Sequence, residues 1–138
     1  MKKYFYFTFL IVGLLIGIMF ITSCTPENLP DLVLVNPNPS FGGLGYCDVD
    51  NSGNLVVHIK NQGTASAGSS HVKVSFGNYG ESTKAVPALG IGDTTTVSFS
   101  FPFGCYDPDC NFDITVDVSG EVNESNETNN TQSGWCIG

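Results

Sequence analysis

The sequence predicts an all-β sandwich of seven strands, immunoglobulin-like or fibronectin type III-like. Three observations predict it. From residue 31 onward, apolar residues recur at alternate positions in short runs, the period of a strand with one buried face. Gly, Asn, Pro and Ser separate those runs. Nothing in that region repeats with the 3.6-residue period of a helix.

The chain opens with a segment of another kind. Lys2 and Lys3 precede Tyr4 to Ile21, which carries no charge, and Leu10 to Ile21 is almost wholly aliphatic or aromatic. A basic start, an apolar run and small residues at a break describe a secretory signal. Ile21-Thr22-Ser23-Cys24 resembles the lipobox of bacterial lipoproteins, which implies diacylation of Cys24 and cleavage just before it. Residues 1–23 are then a signal peptide, and residues 24–30 a lipidated cysteine and tether stiffened by Pro26 and Pro30. Tyr4 to Ile21 is just long enough to stay in a membrane as a helix, but Thr25 to Pro30 offers no Lys or Arg to stop transfer. Thr25 stands where an aspartate would favour inner-membrane retention, so the expected location is the cell envelope, on the outer membrane.

The domain covers residues 31–138. Leu32-Val33-Leu34-Val35 is the first strand, ended by Asn36-Pro37-Asn38-Pro39. Phe41 to Gly45 is a glycine-rich loop leading to Cys47. Leu55 to Lys60 is the second strand, with Leu55, Val57 and Ile59 inward. His71 to Phe76 is the third, with Val72, Val74 and Phe76 inward, and Thr83 to Val86 a short fourth. Thr94 to Phe101 is the fifth, with Val97, Phe99 and Phe101 inward. Phe112 to Val118 is the sixth, with Phe112, Ile114, Val116 and Val118 inward. Thr131 to Ile137 is the seventh, its register open. Alternation of this kind suits antiparallel sheets with one solvated face.

Composition excludes some functions. The chain has thirteen acidic and five basic residues, and no Arg; beyond the leader only Lys60, Lys73 and Lys84 oppose the acids. Nucleic acid, which needs a basic footprint, is not a partner. Electrostatic attraction to anionic lipid is excluded likewise. Acidity is compatible with Ca²⁺, which takes oxygen ligands.

Cys47, Cys105, Cys110 and Cys136 remain after Cys24. An even number in an exported domain reads as two disulfides. Cys105 and Cys110 have a spacing that zinc also accepts, but Cys47 and Cys136 form no second close pair. Three pairings are possible. An up-and-down chain path brings all four cysteines to one end, beside the strands rather than within them. The expected pairing is Cys105–Cys110, closing the turn at Asp107-Pro108-Asp109, with Cys47–Cys136 tying the glycine-rich loop to the C-terminus.

Five segments together resemble a known family. Asp31-Leu32-Val33 opens the domain, and Asn61-Gln62-Gly63-Thr64-Ala65-Ser66-Ala67-Gly68 follows the second strand. Val86-Pro87-Ala88-Leu89-Gly90-Ile91-Gly92-Asp93 precedes the fifth. Val116-Asp117 closes the sixth, and Val122-Asn123-Glu124-Ser125-Asn126-Glu127-Thr128-Asn129-Asn130 leads into the seventh. In this order they resemble CARDB, the cell-adhesion-related domain of bacteria, across nearly all of Asp31 to Trp135. The resemblance implies a seven-stranded immunoglobulin-like sandwich of surface and secreted proteins, an adhesive or scaffolding role and no catalytic residues. The glycine-rich insert with Cys47 and the Cys105–Cys110 loop depart from the family's usual pattern.

Candidate sites follow. His58 and His71 fall on the outward phase of their strands, and no motif pairs either with a serine or cysteine, so no enzyme is expected. Asn123, Asn126 and Asn129 each open an N-x-[ST] sequon; behind a bacterial lipobox they read as turn-forming residues. The same chain path gathers the first strand's start and the loops after strands two and six at the end opposite the cysteines. Asp31, Asn61, Asp117, Glu124 and Glu127 then converge, and Asp31, Asp117, Glu124 and Glu127 are candidate Ca²⁺ ligands. The expected function is that of a non-enzymatic envelope lipoprotein with an adhesion or binding module. Its expected partners are the membrane, through the lipid, and an unknown protein or carbohydrate. The alternative is an accessory or structural subunit of an envelope complex.

Overall fold

A computed structural model describes residues 27–106 and 108–138. The expected signal peptide, Cys24, Thr25 and Pro26 lie outside the described residues. Seven strands form two antiparallel sheets: β1 (Leu32–Val35), β2 (Asn54–Asn61), β3 (Ser70–Ser75), β4 (Glu81–Val86), β5 (Thr94–Ser100), β6 (Asp109–Val116) and β7 (Thr131–Ile137). One sheet has the order β1-β2-β5, the other β4-β3-β6-β7. In the constant-type immunoglobulin order the fourth strand joins the sheet of the first, second and fifth. Here β4 has crossed to the edge of the other sheet.

The alternation in the sequence decides the inner faces. Leu55, Val57 and Ile59 of β2 meet Val72 and Val74 of β3 and Phe112, Ile114 and Val116 of β6 in one core, each at most 3% exposed. Burial of a side chain of this size contributes about 1.5–3 kcal/mol. The fifth strand departs from expectation. Phe99 is fully buried, but Val97 and Phe101 are only half-buried, because β5 is an edge strand whose neighbour lies on one side alone. Lys84 of β4 closes that flank, its ammonium 2.6 Å from the Ser98 carbonyl and over the Phe99 ring.

Strand limits also differ, most at β6. β6 begins at Asp109 and ends at Val116, since Asp117 adopts a positive φ of 48°. Val118 therefore lies beyond the strand and is only half-buried. A 3-10 segment, Pro39–Tyr46, replaces the glycine-rich loop. Its short-range bonds leave no periodic apolar signature, so the sequence hides it.

The disulfides join Cys47 to Cys136 and Cys105 to Cys110, with Cα atoms 5.2 and 4.8 Å apart. The expectation that the cysteines stand beside the strands is corrected, most plainly for Cys110, which lay outside the expected sixth strand. Cys110 lies in β6 and Cys136 in β7, directly across from each other, and both are buried with Cys105 among the apolar core. The alternation Cys110-Phe112-Ile114 extends the inner face into the disulfide.

The two ends of the sandwich differ. One holds Cys47, Cys105, Cys110 and Cys136. The other holds the start of β1 and the loops after β2, β4 and β6. The incoming chain is already docked there: Pro30 is buried, and the Leu29 carbonyl accepts the Thr64 N–H at 2.9 Å. Leu29 and Pro30 thus belong to the folded body rather than to a free tether.

Candidate metal centre

The loop after β2 is built around one amide. Asn61 is fully buried. Its Oδ1 accepts the Gly63 and Asp31 N–H groups at 3.0 and 3.2 Å, and its Nδ2 donates to the carbonyls of Ala65, Leu89 and Gly90. That side chain is saturated and holds three loops together, so it is no cation ligand, although the sequence grouped it with the acids. Gly63 is required for the same junction. A Cβ there would lie 2.5 Å from backbone atoms of Leu29, Pro30 and Asp31, which cross over it.

Asp117 turns the chain out of β6. Its carboxylate accepts the Glu121 N–H at 2.9 Å and the Val122 N–H at 3.0 Å. The strained φ persists because both bonds require it. The loop then brings Glu124 back to β1, where Oε2 accepts the Leu32 N–H. Glu127 Oε1 accepts the Glu124 N–H at 3.0 Å. Carboxylate oxygens of Asp117, Glu124 and Glu127 all lie within 4.8 Å of one another, and Asp117 and Glu124 are buried.

Asp31 stands outside this trio. Gln62 and Asn129 each donate an amide N–H to one of its oxygens, both at 2.9 Å. The set of four acids expected from sequence is therefore a trio with a neighbour. The buried Asn130 completes the trio instead, its Nδ2 donating to Glu124 Oε1 at 3.0 Å and to Glu127 Oε2 at 3.4 Å. Its Oδ1 is buried without a hydrogen-bond partner, as is that of Asn129. Asn130 was not singled out from the sequence, and Asn129 only as a sequon read as turn chemistry. That reading does apply to Asn126, whose Oδ1 accepts both the N–H and the hydroxyl of Thr128.

Three carboxylates this close cannot all ionise cheaply. Burial first, then the charges of Glu127 and Asp117, raise the Glu124 pKa to about 7 against the bonds from Leu32 and Asn130. Among the described residues the lysine ion pair is Lys73–Glu81, on β3 and β4. The donor set suits a hard cation. Oxygens at 2.3–2.6 Å on opposite sides of Ca²⁺ stand about 4.6–5.2 Å apart, which the 4.8 Å spread accommodates. A half-turn of the Asn130 amide would give a cation the orphaned oxygen and remove the N–H groups from the carboxylates.

Both histidines have partners that the sequence did not reveal. His58 Nε2 lies 2.6 Å from Asp48, and His71 Nδ1 lies 2.7 Å from Glu121. Each is partly exposed, and neither has a serine or cysteine among its hydrogen-bond partners.

An amide-locked loop and a carboxylate loop share one end of a three-on-four β-sandwich. The chain belongs to the CARDB family, a non-catalytic, cell-adhesion-related family whose model matches residues 29–134. Three solved structures share the fold. The CARDB domain of the PF1109 protein of Pyrococcus furiosus, in complex with di-metal ions, is 22% identical with a TM-score of 0.59, covering 82% of this chain and 96% of that one. A solution structure of the PF1109 CARDB domain is 26% identical, with a TM-score of 0.55 and coverage of 80% and 96%. A domain assigned to a cell surface protein of Methanosarcina acetivorans is 27% identical, with a TM-score of 0.58 and coverage of 79% and 91%. No curated protein matches the chain.

Proposed function

We propose that the chain is a non-enzymatic adhesive module of the bacterial cell envelope, anchored by lipid on Cys24, whose acidic pocket takes Ca²⁺. The observation that carries this reading is the polarity of the sandwich. The chain enters the fold at the acidic end through Leu29 and Pro30, where Ile91 is also exposed, while the exposed aromatics of the described residues, Phe41, Tyr79, Phe103, Tyr106 and Trp135, belong with Ile137 to the cysteine-stapled end. Exposed aromatics at the end away from an anchor are the expected arrangement of a recognition surface. Because Leu29 is docked, only residues 24–28 separate lipid from fold, a reach of about 15–18 Å. The acidic pocket would then face the membrane, and Thr25 favours the outer one.

Support for the cation comes from the close carboxylates, the orphaned Asn130 oxygen and the di-metal complex of the Pyrococcus furiosus domain. Asp117, Glu124, Glu127 and Asn130 would hold one ion, and Asp31 with Asn129 offers an adjoining oxygen set. The cation would tie the sixth-strand loop to the first strand. Calorimetry of the purified chain tests it. Ca²⁺ at a hundred times its Kd should raise the Tm by on the order of 10 °C, and Glu124→Gln with Glu127→Gln should abolish that rise. An unchanged wild-type Tm refutes the cation. Mass spectrometry of the mature N-terminus tests the anchor, which an unmodified start at Thr25 or later would refute. Pull-down from native membranes tests the binding role; a stoichiometric protein complex that persists without the exposed aromatics would favour an accessory subunit.

A further inference from the structure

The outer face of the four-stranded sheet carries a groove of about 420 Å³ at the cysteine-stapled end, within the range of small-molecule sites. We propose that this groove binds a neutral pyranose oligosaccharide, with Trp135 and Tyr79 as stacking platforms and Asp109, Asn111 and Asp113 bonding its hydroxyls. The inference rests on the binding-module reading above but is independent of the cation pocket at the opposite end.

Trp135 is the first observation. β7 buries Gly134 and Cys136 and turns Trp135 and Ile137 outward, the reverse of what burial alone would select. The ring is 39% exposed, and Tyr79 on the other side of the groove is 49% exposed. Trp135 is also held from behind. A side chain at Gly43 would collide with its ring, so the glycine-rich insert provides a flat backing. The Cys47–Cys136 bond ties that insert to the residue next to Trp135. The two features that depart from the family's usual pattern therefore flank this groove, one of them fixing its tryptophan. A rigid ring facing solvent loses little freedom when a ligand stacks on it.

The polar lining is the second observation. Asp109, Asn111 and Asp113 alternate along the exposed face of β6, with Asn111 opposite Trp135 and Asp113 opposite Ser133. The Ser133 hydroxyl donates to Asp113 Oδ1 at 2.5 Å, which pre-aims that carboxylate. At about 3.4 Å per residue the three side chains span roughly 13 Å, longer than one sugar ring, so the ligand is an oligosaccharide. Carboxylates only accept, amides donate and accept, and hydroxyls do both. Sugar hydroxyls match that mixture, and the C–H face of a pyranose matches the rings. No Lys or Arg lines the groove, so its two carboxylates repel uronic or sulfated sugars. A basic peptide would meet the carboxylates but offers no pyranose C–H face to the two rings.

Trp135 is the only tryptophan of the chain, so intrinsic fluorescence reports on the groove directly. The full chain in detergent micelles is titrated with cellohexaose, chitohexaose, an oligogalacturonate and oligolysine. A neutral hexasaccharide should give a saturating blue shift, with no response to oligogalacturonate. Tyr79→Ala and Asp113→Ala should each weaken binding about tenfold at unchanged Tm. Gly43→Ala, outside the groove, should shift the unliganded emission and weaken binding as well. Neutral sugars without effect, variants that bind like wild type, or saturation by oligolysine alone would each overturn the proposal. If the sugars are silent while pull-down still recovers a partner through the exposed aromatics, the saccharide assignment fails and the adhesive reading stands. Loss of both overturns both.

Discussion

Glu124 does two jobs that conflict. It bonds the β1 backbone through Leu32, which requires burial, and burial beside Glu127 and Asp117 disfavours its charge. With its pKa raised from 4.5 to about 7, the folded state binds its proton more tightly than the unfolded state does. Its contribution to stability is then complete below about pH 4.5 and is lost as pH rises through about 7. In chelator, the Tm should fall across that window, and Glu124→Gln should flatten the fall. A Tm that instead rises through the window, and does so unchanged in the variant, would show that the carboxyl titrates normally. Saturating Ca²⁺ should remove the trend, since the ion takes the proton's place at the upper end of the window.

At the scale of elements, the loops rather than the strands carry the family's character. Gly63 lets Leu29 to Asp31 cross the β2–β3 loop, and Asn61 bonds that crossing from beneath. Gly63→Ala should force the two backbones apart, lowering stability by about 1–3 kcal/mol, as overpacking does elsewhere. It should also open the chain to protease ahead of β1, which limited proteolysis with N-terminal sequencing would detect. An unchanged cleavage pattern would mean that the incoming segment is not held there. This junction also explains what was legible in the sequence. Alternation revealed the strands because each buries one face, and chain direction alone brought Asp117, Glu124 and Glu127 together. Asn130 stayed hidden because an asparagine in a turn-forming run looks the same whether or not its amide is buried. Trp135 stayed hidden for the opposite reason: an aromatic residue in a strand is ordinarily read as core. Cys136 already fell within the expected seventh strand, whereas Cys110 was left outside the sixth because cysteine was not counted as an apolar residue continuing the alternation.

For the whole molecule, the two disulfides act unequally. Cys47–Cys136 spans 89 residues and Cys105–Cys110 only 5. In the chain-entropy view the first stabilises by about 4–5 kcal/mol and the second by about 2. Denaturant unfolding of Cys47→Ser with Cys136→Ser should show the larger loss, and Cys105→Ser with Cys110→Ser the smaller. Equal losses would mean that native packing around the sulfurs, rather than the unfolded chain, dominates.

The long disulfide also sets how the molecule behaves under tension. A module tethered at Asp31 and gripped at Trp135 is pulled along its strands, so the backbone bonds of β1 and β2 are sheared together rather than opened one at a time. Covalently, the shortest route between those points runs through residues 31–47 and across the Cys47–Cys136 bond. Everything from residue 48 to residue 134 hangs off that route and bears no load along it. Even after β1 is torn away, the oxidised molecule can lengthen to only about 60–65 Å between anchor and grip, against about 350 Å for the reduced chain at roughly 3.3–3.6 Å per residue. The bond is a safety strap: a cell held by this module would be arrested within a few nanometres, with most of the sandwich spared the load.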